Sequence, residues 1–142
     1  MLPSRLAVGT AVTALVALAG CASNGSPSIE LSAAGEAGRQ IHRSEGCAAC
    51  HGGDGQGSVG PAYVGLYNST IEVEVERDGE TVVESVVADE DFIRESITRP
   101  DAAQNAGYGL KMPSNDLSPE QVDQVVAYII ELAEQPDEAA DG

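Results

Sequence analysis

The stretch GCAACHGGDGQGSVGP, residues 46–61, holds two of the chain's three cysteines and one of its two histidines. A Cys-x-x-Cys pair serves three chemistries: a thiol–disulfide switch, half of a zinc site, or, with a histidine next in line, covalent attachment of a haem. A thioredoxin-like switch expects its pair at a helix N-terminus within a strand–helix–strand unit. Here Cys50 is followed by HGGDGQGSVGP, a glycine-rich run that is a poor helix start. A structural zinc site needs four N or S ligands at recognisable spacing. Cys47, Cys50, His51 and the distant His42 make four, but adjacent Cys50 and His51 are badly spaced for a tetrahedron. The third pattern needs no stretching. Both thiols add to the vinyl groups of a haem, and the next residue, His51, then sets an imidazole under the iron.

A haem of this kind with a high potential takes a second axial ligand, commonly a methionine thioether. Apart from Met1 the chain has one methionine, Met112, in GLKMPSN. A methionine that fills a core gap sits in an apolar periodic run. Met112 instead lies in a Gly/Pro/Asn-rich loop, with Pro113 behind it and a helix ahead.

The rest of the composition narrows the class. With 142 residues the chain has room for one small domain plus its ends. Seven Lys+Arg against 23 Asp+Glu give a formal charge of −16, which argues against direct contact with nucleic acid. Lys111 is the only lysine, there is no Trp, and Phe and Tyr together number five. So few large apolar side chains leave a small core that a bound group has to complete. Near-absence of lysine, with acids spread over every segment, also suits a protein working in high salt.

The first residues read as targeting. Arg5 forms a short positive region, and the apolar run Leu6–Ala19 is too short to span a bilayer but fits a signal peptide. LAGC at 18–21 is similar to the bacterial lipobox, which makes Cys21 the expected lipidation site. The expected organisation is a signal peptide at 1–20, a lipid-anchored flexible linker at 21–31, a domain at 32–134 and an acidic disordered tail at 135–142. With Cys21 taken, Cys47 and Cys50 are left only each other, and so short a loop constrains the unfolded chain little. The pair reads as chemistry.

Three helices are expected. SAAGEAGRQIHRSEG starts at about Ser32 and stops at Gly46. DEDFIRESITRP opens with acids and closes before Pro100. SPEQVDQVVAYIIELAE has Ser118 as N-cap, Pro119 in first position and Gln121 closing a capping box, with Val122, Val125, Val126, Ile129, Ile130 and Ala133 as its apolar stripe. In TIEVEVERDGETVVESVV, residues 70–87, valines alternate with glutamates around Asp78-Gly79, which predicts a β-hairpin with one face in solvent.

Taken in order, the 46–61 stretch, GLYNST at 65–70, the hairpin, DEDFIRESITRP, YGLKMP and LSPEQVDQVVAYI resemble a class I cytochrome c. Within that class they most resemble the domain carried by subunit II of haem-copper oxidases. The resemblance implies a mainly α class I cytochrome c fold, three to four helices around one covalent haem c, with the hairpin inserted. It implies Cys47 and Cys50 as thioether ligands, His51 as proximal ligand, Met112 as distal ligand, and Pro61 as acceptor of a hydrogen bond from the imidazole. His42 falls where the family has an aromatic residue, in a helix crossing that Gly38 permits and Tyr128 completes; a second iron ligand or a proton relay is the other reading. Tyr67, Arg99 and Tyr108 are either neighbours of the haem propionates or packing and surface residues.

The implied function is electron transfer, not catalysis. The expected protein is exported and lipid-anchored. It accepts electrons from a quinol-oxidising complex and passes them to a terminal oxidase. The sequence shows neither that subunit's copper domain nor its transmembrane pair, so a free-standing carrier and an accessory subunit of a larger oxidoreductase complex both stay open. A gas-binding or peroxidatic protein would require Met112 off the iron.

Overall fold

The computed structural model describes residues 29–134. The segments expected to be a signal peptide, most of the expected linker with Cys21, and the expected acidic tail lie outside the described residues. Helix α1 runs Ala33–Ser44; the Ser32 hydroxyl accepts from Gly35 N–H at 3.1 Å and caps it. Glu36 in its first turn and His42 and Arg43 in its last match the helix dipole. Gly46, at φ 84°, turns the chain out of the helix, a conformation that favours glycine. Helix α2 is the single turn Ala48–His51. Helix α3, Glu90–Thr98, is capped by the Asp89 carboxylate accepting from Phe92 N–H at 2.8 Å. Helix α4, Pro119–Ala133, carries the expected capping box between Ser118 and Gln121.

Helices α1 and α4 cross at Gly38. A Cβ there would stand 1.9 Å from the Gln124 carbonyl oxygen and 2.8 Å from Tyr128 Cβ, so only glycine lets the backbones meet. Ser32 ties the far end of the pair, its N–H and hydroxyl donating to the Glu131 carboxylate at 2.8 and 2.6 Å. Helix α3 lays Ile93 and Ile97 against α4, and Arg94 bridges Glu90 and Asp123. The buried residues of α4 are Val122, Val125, Val126, Tyr128, Ile129 and Leu132. The stripe read from the sequence therefore shifts: Ile130 and Ala133 are only half-buried, while Tyr128 and Leu132 are enclosed. The helix has neighbours on more than one side, and a single-sided stripe understates the surface it buries.

The hairpin is strand β1, Thr70–Arg77, and strand β2, Glu80–Val87, paired from Thr70↔Val87 to Arg77↔Glu80. Asp78 and Gly79 both have positive φ, 54° and 84°, as a two-residue turn of this hand requires. Val73 is fully enclosed; Val83 and Val87 look outward. The entry and exit of the hairpin are laced together, with Asn68 N–H donating to Ala88 O at 3.0 Å and Ala88 N–H to Ser69 O at 2.9 Å. One feature departs from expectation. A two-residue strand β3, Gln104–Asn105, pairs with the other edge of β1 and makes the sheet three-stranded, in the order β2-β1-β3. It covers a β1 edge that would otherwise leave backbone groups unpaired.

Candidate haem-attachment site

The α2 turn brings the motif together. Residues separated by three and four positions share one side of a helical turn, so Cys47, Cys50 and His51 are neighbours in space. His51 N–H donates to Cys47 O at 3.0 Å, closing the turn. The glycine-rich run then folds back over the histidine. Gly57 N–H reaches His51 O at 2.8 Å, Gly60 N–H reaches Cys50 O at 2.9 Å, and His51 Nδ1 meets the Pro61 carbonyl oxygen at 2.8 Å. A carbonyl only accepts, so Nδ1 carries the proton and Nε2 keeps its lone pair for a metal. Gly60 lies so close that a Cβ would stand 3.2 Å from His51 Cε1. Tyr63 covers the imidazole face, with ring centroids 4.8 Å apart and planes 27° from parallel.

The cleft in front of His51 has two lobes that share His51, Pro61, Leu110 and Met112. One runs under α3 and α4 past Tyr63, Phe92, Ile97 and Ile129; the other opens past Cys47, Cys50 and Val59. Met112 is half-buried in the irregular segment after β3, where Asn115 Nδ2 donates to Ile97 O at 2.8 Å. Two thiols, an imidazole nitrogen and a thioether thus edge one apolar slot, a donor set that fits a haem. Cys47, Cys50 and His51 would hold the group, and Met112 lines the same cleft.

Burial at Cys47 runs against the electrostatics of a reactive thiol. A reactive cysteine has its pKa depressed. Burial instead pushes the Cys47 thiol up, and Glu45 and Cys50 add to the rise. Burial also holds His51 below the usual histidine range against the opposing Pro61 bond, which keeps it neutral as a metal ligand must be. Among the described residues no cluster of three or more His, Cys, Asp or Glu has the arrangement of a metal cage.

His42 is fully enclosed, and its Nε2 donates to Gly52 O at 2.8 Å. Its ring lies 5.4 Å from Tyr63 and 5.5 Å from Tyr128, in the helix crossing. Tyr108 lines the cleft, Tyr67 packs half-buried on the core, and exposed Arg99 pairs with Glu95. Cys21 lies outside the described residues. Sequence reasoning missed Tyr63 and Gly60; a lone aromatic and a lone glycine in a loop have no periodicity, and only their contact with His51 marks them.

The chain belongs to the cytochrome c family: the family model described as Cytochrome c matches residues 35–133. A search of curated proteins gives no match. Proteins of this family carry haem c bound covalently through cysteines and transfer electrons, and Cys47 and Cys50 have the spacing of one such attachment. Such domains typically lie outside the cytoplasm. Among the described residues no helix is long and apolar enough to cross a membrane.

Proposed function

We propose that this cytochrome carries one haem, held by Cys47 and Cys50, with His51 and Met112 as the two axial ligands. It works as an electron carrier of a respiratory chain outside the cytoplasmic membrane, delivering electrons to a terminal oxidase. The observation that carries this reading is that His51 and Met112 both line both lobes of one cleft. Bound haem supplies one-electron chemistry, and His/Met ligation keeps its potential high. The chain's residues hold the ligand geometry steady between the two oxidation states. Pro61 fixes the tautomer of His51, and the Ile97–Asn115 bond secures the methionine segment. Phe92, Ile93, Ile97 and Ile129 keep water from one side of the group.

The likeness to the oxidase subunit II domain, in GLYNST and the inserted hairpin, supports an oxidase as electron acceptor and a quinol-oxidising complex as donor. Cys21 anchors the exported protein to a membrane by lipid, on the strength of LAGC.

The test is Met112→Ala in purified holoprotein. We expect loss of the weak sulfur-to-iron absorption of the oxidised form, a lower midpoint potential, and new binding of carbon monoxide by the reduced protein. An unchanged spectrum and potential would remove Met112 from the iron.

A further inference from the structure

We propose that Tyr63 is a positioning residue that sets the tilt of the His51 imidazole, and that His42 holds Tyr63 in place to do so. This rests on His51 being an iron ligand. An imidazole fixed at its Cβ and by one hydrogen bond from Nδ1 still rocks about the line joining those points. In this protein the rocking is blocked. Tyr63 lies over the ring face at 4.8 Å and 27°, an offset stack of the favourable kind. Along the Nδ1–Cε1 edge the Gly60 backbone, tied to Cys50 O at 2.9 Å, passes so close that even a Cβ would stand 3.2 to 3.3 Å from the ring. Pro61 holds Nδ1.

Tyr63 is itself held from behind. It is 6% exposed, and its N–H donates to Gly55 O at 2.7 Å. The His42 ring meets it edge-on at 5.4 Å and 68°, and the Tyr128 ring at 6.3 Å and 88°. His42 also grips the backbone beside the ligand, since its Nε2 proton goes to the carbonyl of Gly52, the residue after His51. One enclosed side chain of α1 therefore steadies both the ring behind the ligand and the chain leaving it. Groups that orient a metal ligand in this way tune the metal without touching it. The orientation of an imidazole plane governs how unpaired spin spreads over a ferric haem, so the tilt has a direct spectroscopic reading.

The experiment compares wild-type, Tyr63→Phe and Tyr63→Leu holoproteins by three measurements: the paramagnetically shifted haem-methyl resonances of the oxidised form, the midpoint potential and thermal unfolding. Tyr63→Phe keeps the stacked face and is expected to keep the wild-type order and spread of methyl shifts. Tyr63→Leu is expected to change that order or compress the spread, and to move the potential, while His51 stays on the iron. His42→Phe fills the same space without the Gly52 bond and is expected to shift the methyls the same way by less. A Tyr63→Leu protein that unfolds earlier but keeps the wild-type methyl pattern would overturn the proposal, leaving Tyr63 as core packing alone. If Tyr63→Leu does not take up haem, Tyr63→Met, which has no planar face, is read by the same criteria. Were His51 not a ligand, the wild type itself would show no strongly shifted imidazole resonances, so that failure is separate from this one.

Discussion

Gly38→Ala tests the claim that one glycine brings α1 against α4. The added methyl would start 1.9 Å from Gln124 O, 2.6 Å from Gln124 C and 2.8 Å from Tyr128 Cβ. Ordinary contact between heavy atoms needs about 3.5 Å, so the helices have to part by more than 1 Å. The nearest obstacle is backbone of a packed helix, which cannot swing aside as a side chain does. Overpacking of this kind costs about 1–3 kcal/mol, and a backbone obstacle puts the cost near the upper end. Alanine returns about 1 kcal/mol of helix propensity relative to glycine. The net is a loss of about 2 kcal/mol, and for a domain of this size about 8–16 °C in Tm. Thermal unfolding of the holoprotein followed by circular dichroism measures it. Gly53→Ala is the control, since nothing lies within 4 Å of a Cβ there and the backbone is not left-handed; its stability should stay within about 0.5 kcal/mol of wild type. A Gly38→Ala protein melting at or above the wild type would refute the close-approach argument.

Burial holds the His42 imidazole below the ordinary histidine pKa, with Gly52 as its one hydrogen-bond partner. Tyr63, Tyr128, His51, Arg43 and Asp54 are the other titratable or charged groups around it. Above the unfolded value of about 6.5 it is neutral in both states and its contribution is complete. As pH falls below that value the unfolded chain takes a proton that folded His42 refuses, so stability drops until the depressed folded value is passed. Urea unfolding across this range should show the slope, and His42→Phe should be flatter there; parallel profiles would count against it. Every arginine among the described residues pairs with a carboxylate, and over the whole chain 23 acids stand against seven cations. Screening within about 3 Å in molar salt should therefore raise Tm markedly over dilute buffer, and a salt-independent Tm would rule this out. Wild-type protein expressed in a bacterium should incorporate labelled fatty acid and partition into detergent. Cys21→Ser should do neither, and a label retained in the variant would place the lipid elsewhere.

What was legible in the sequence was what short range fixes. Cys47, Cys50 and His51 are adjacent in the chain and in space. Ser118 with Gln121, and Asp78 with Gly79, carry their geometry within four residues, and their elements lie where the patterns put them. Met112 stood out by being alone in an unlikely setting. Strand β3 was not legible, because Gln104 and Asn105 have no strand pattern and pair only because β1 offers them an edge. Nor was the role of Tyr63, whose meaning lies in three rings from distant parts of the chain. The shifted stripe of α4 has a similar cause: the resemblance placed Tyr128 in the crossing with α1, but the periodicity of α4 by itself does not show that neighbour.

The lacing at the base of the hairpin has a consequence for how this domain tolerates change. Because Asn68 and Ser69 are bonded to Ala88, the chain leaves the body of the protein and re-enters it at one point. Lengthening, shortening or regrafting the strands beyond that point leaves the path on either side untouched, since closing a loop costs only slowly more as it grows. What such grafts must keep is Val73, which is only 1% exposed, and the β1 edge that receives Gln104 and Asn105. The outer half, around the Asp78-Gly79 tip, is therefore the place in this cytochrome where a foreign peptide, a label or a tether to an electrode can be spliced in without disturbing the ligand side of the molecule.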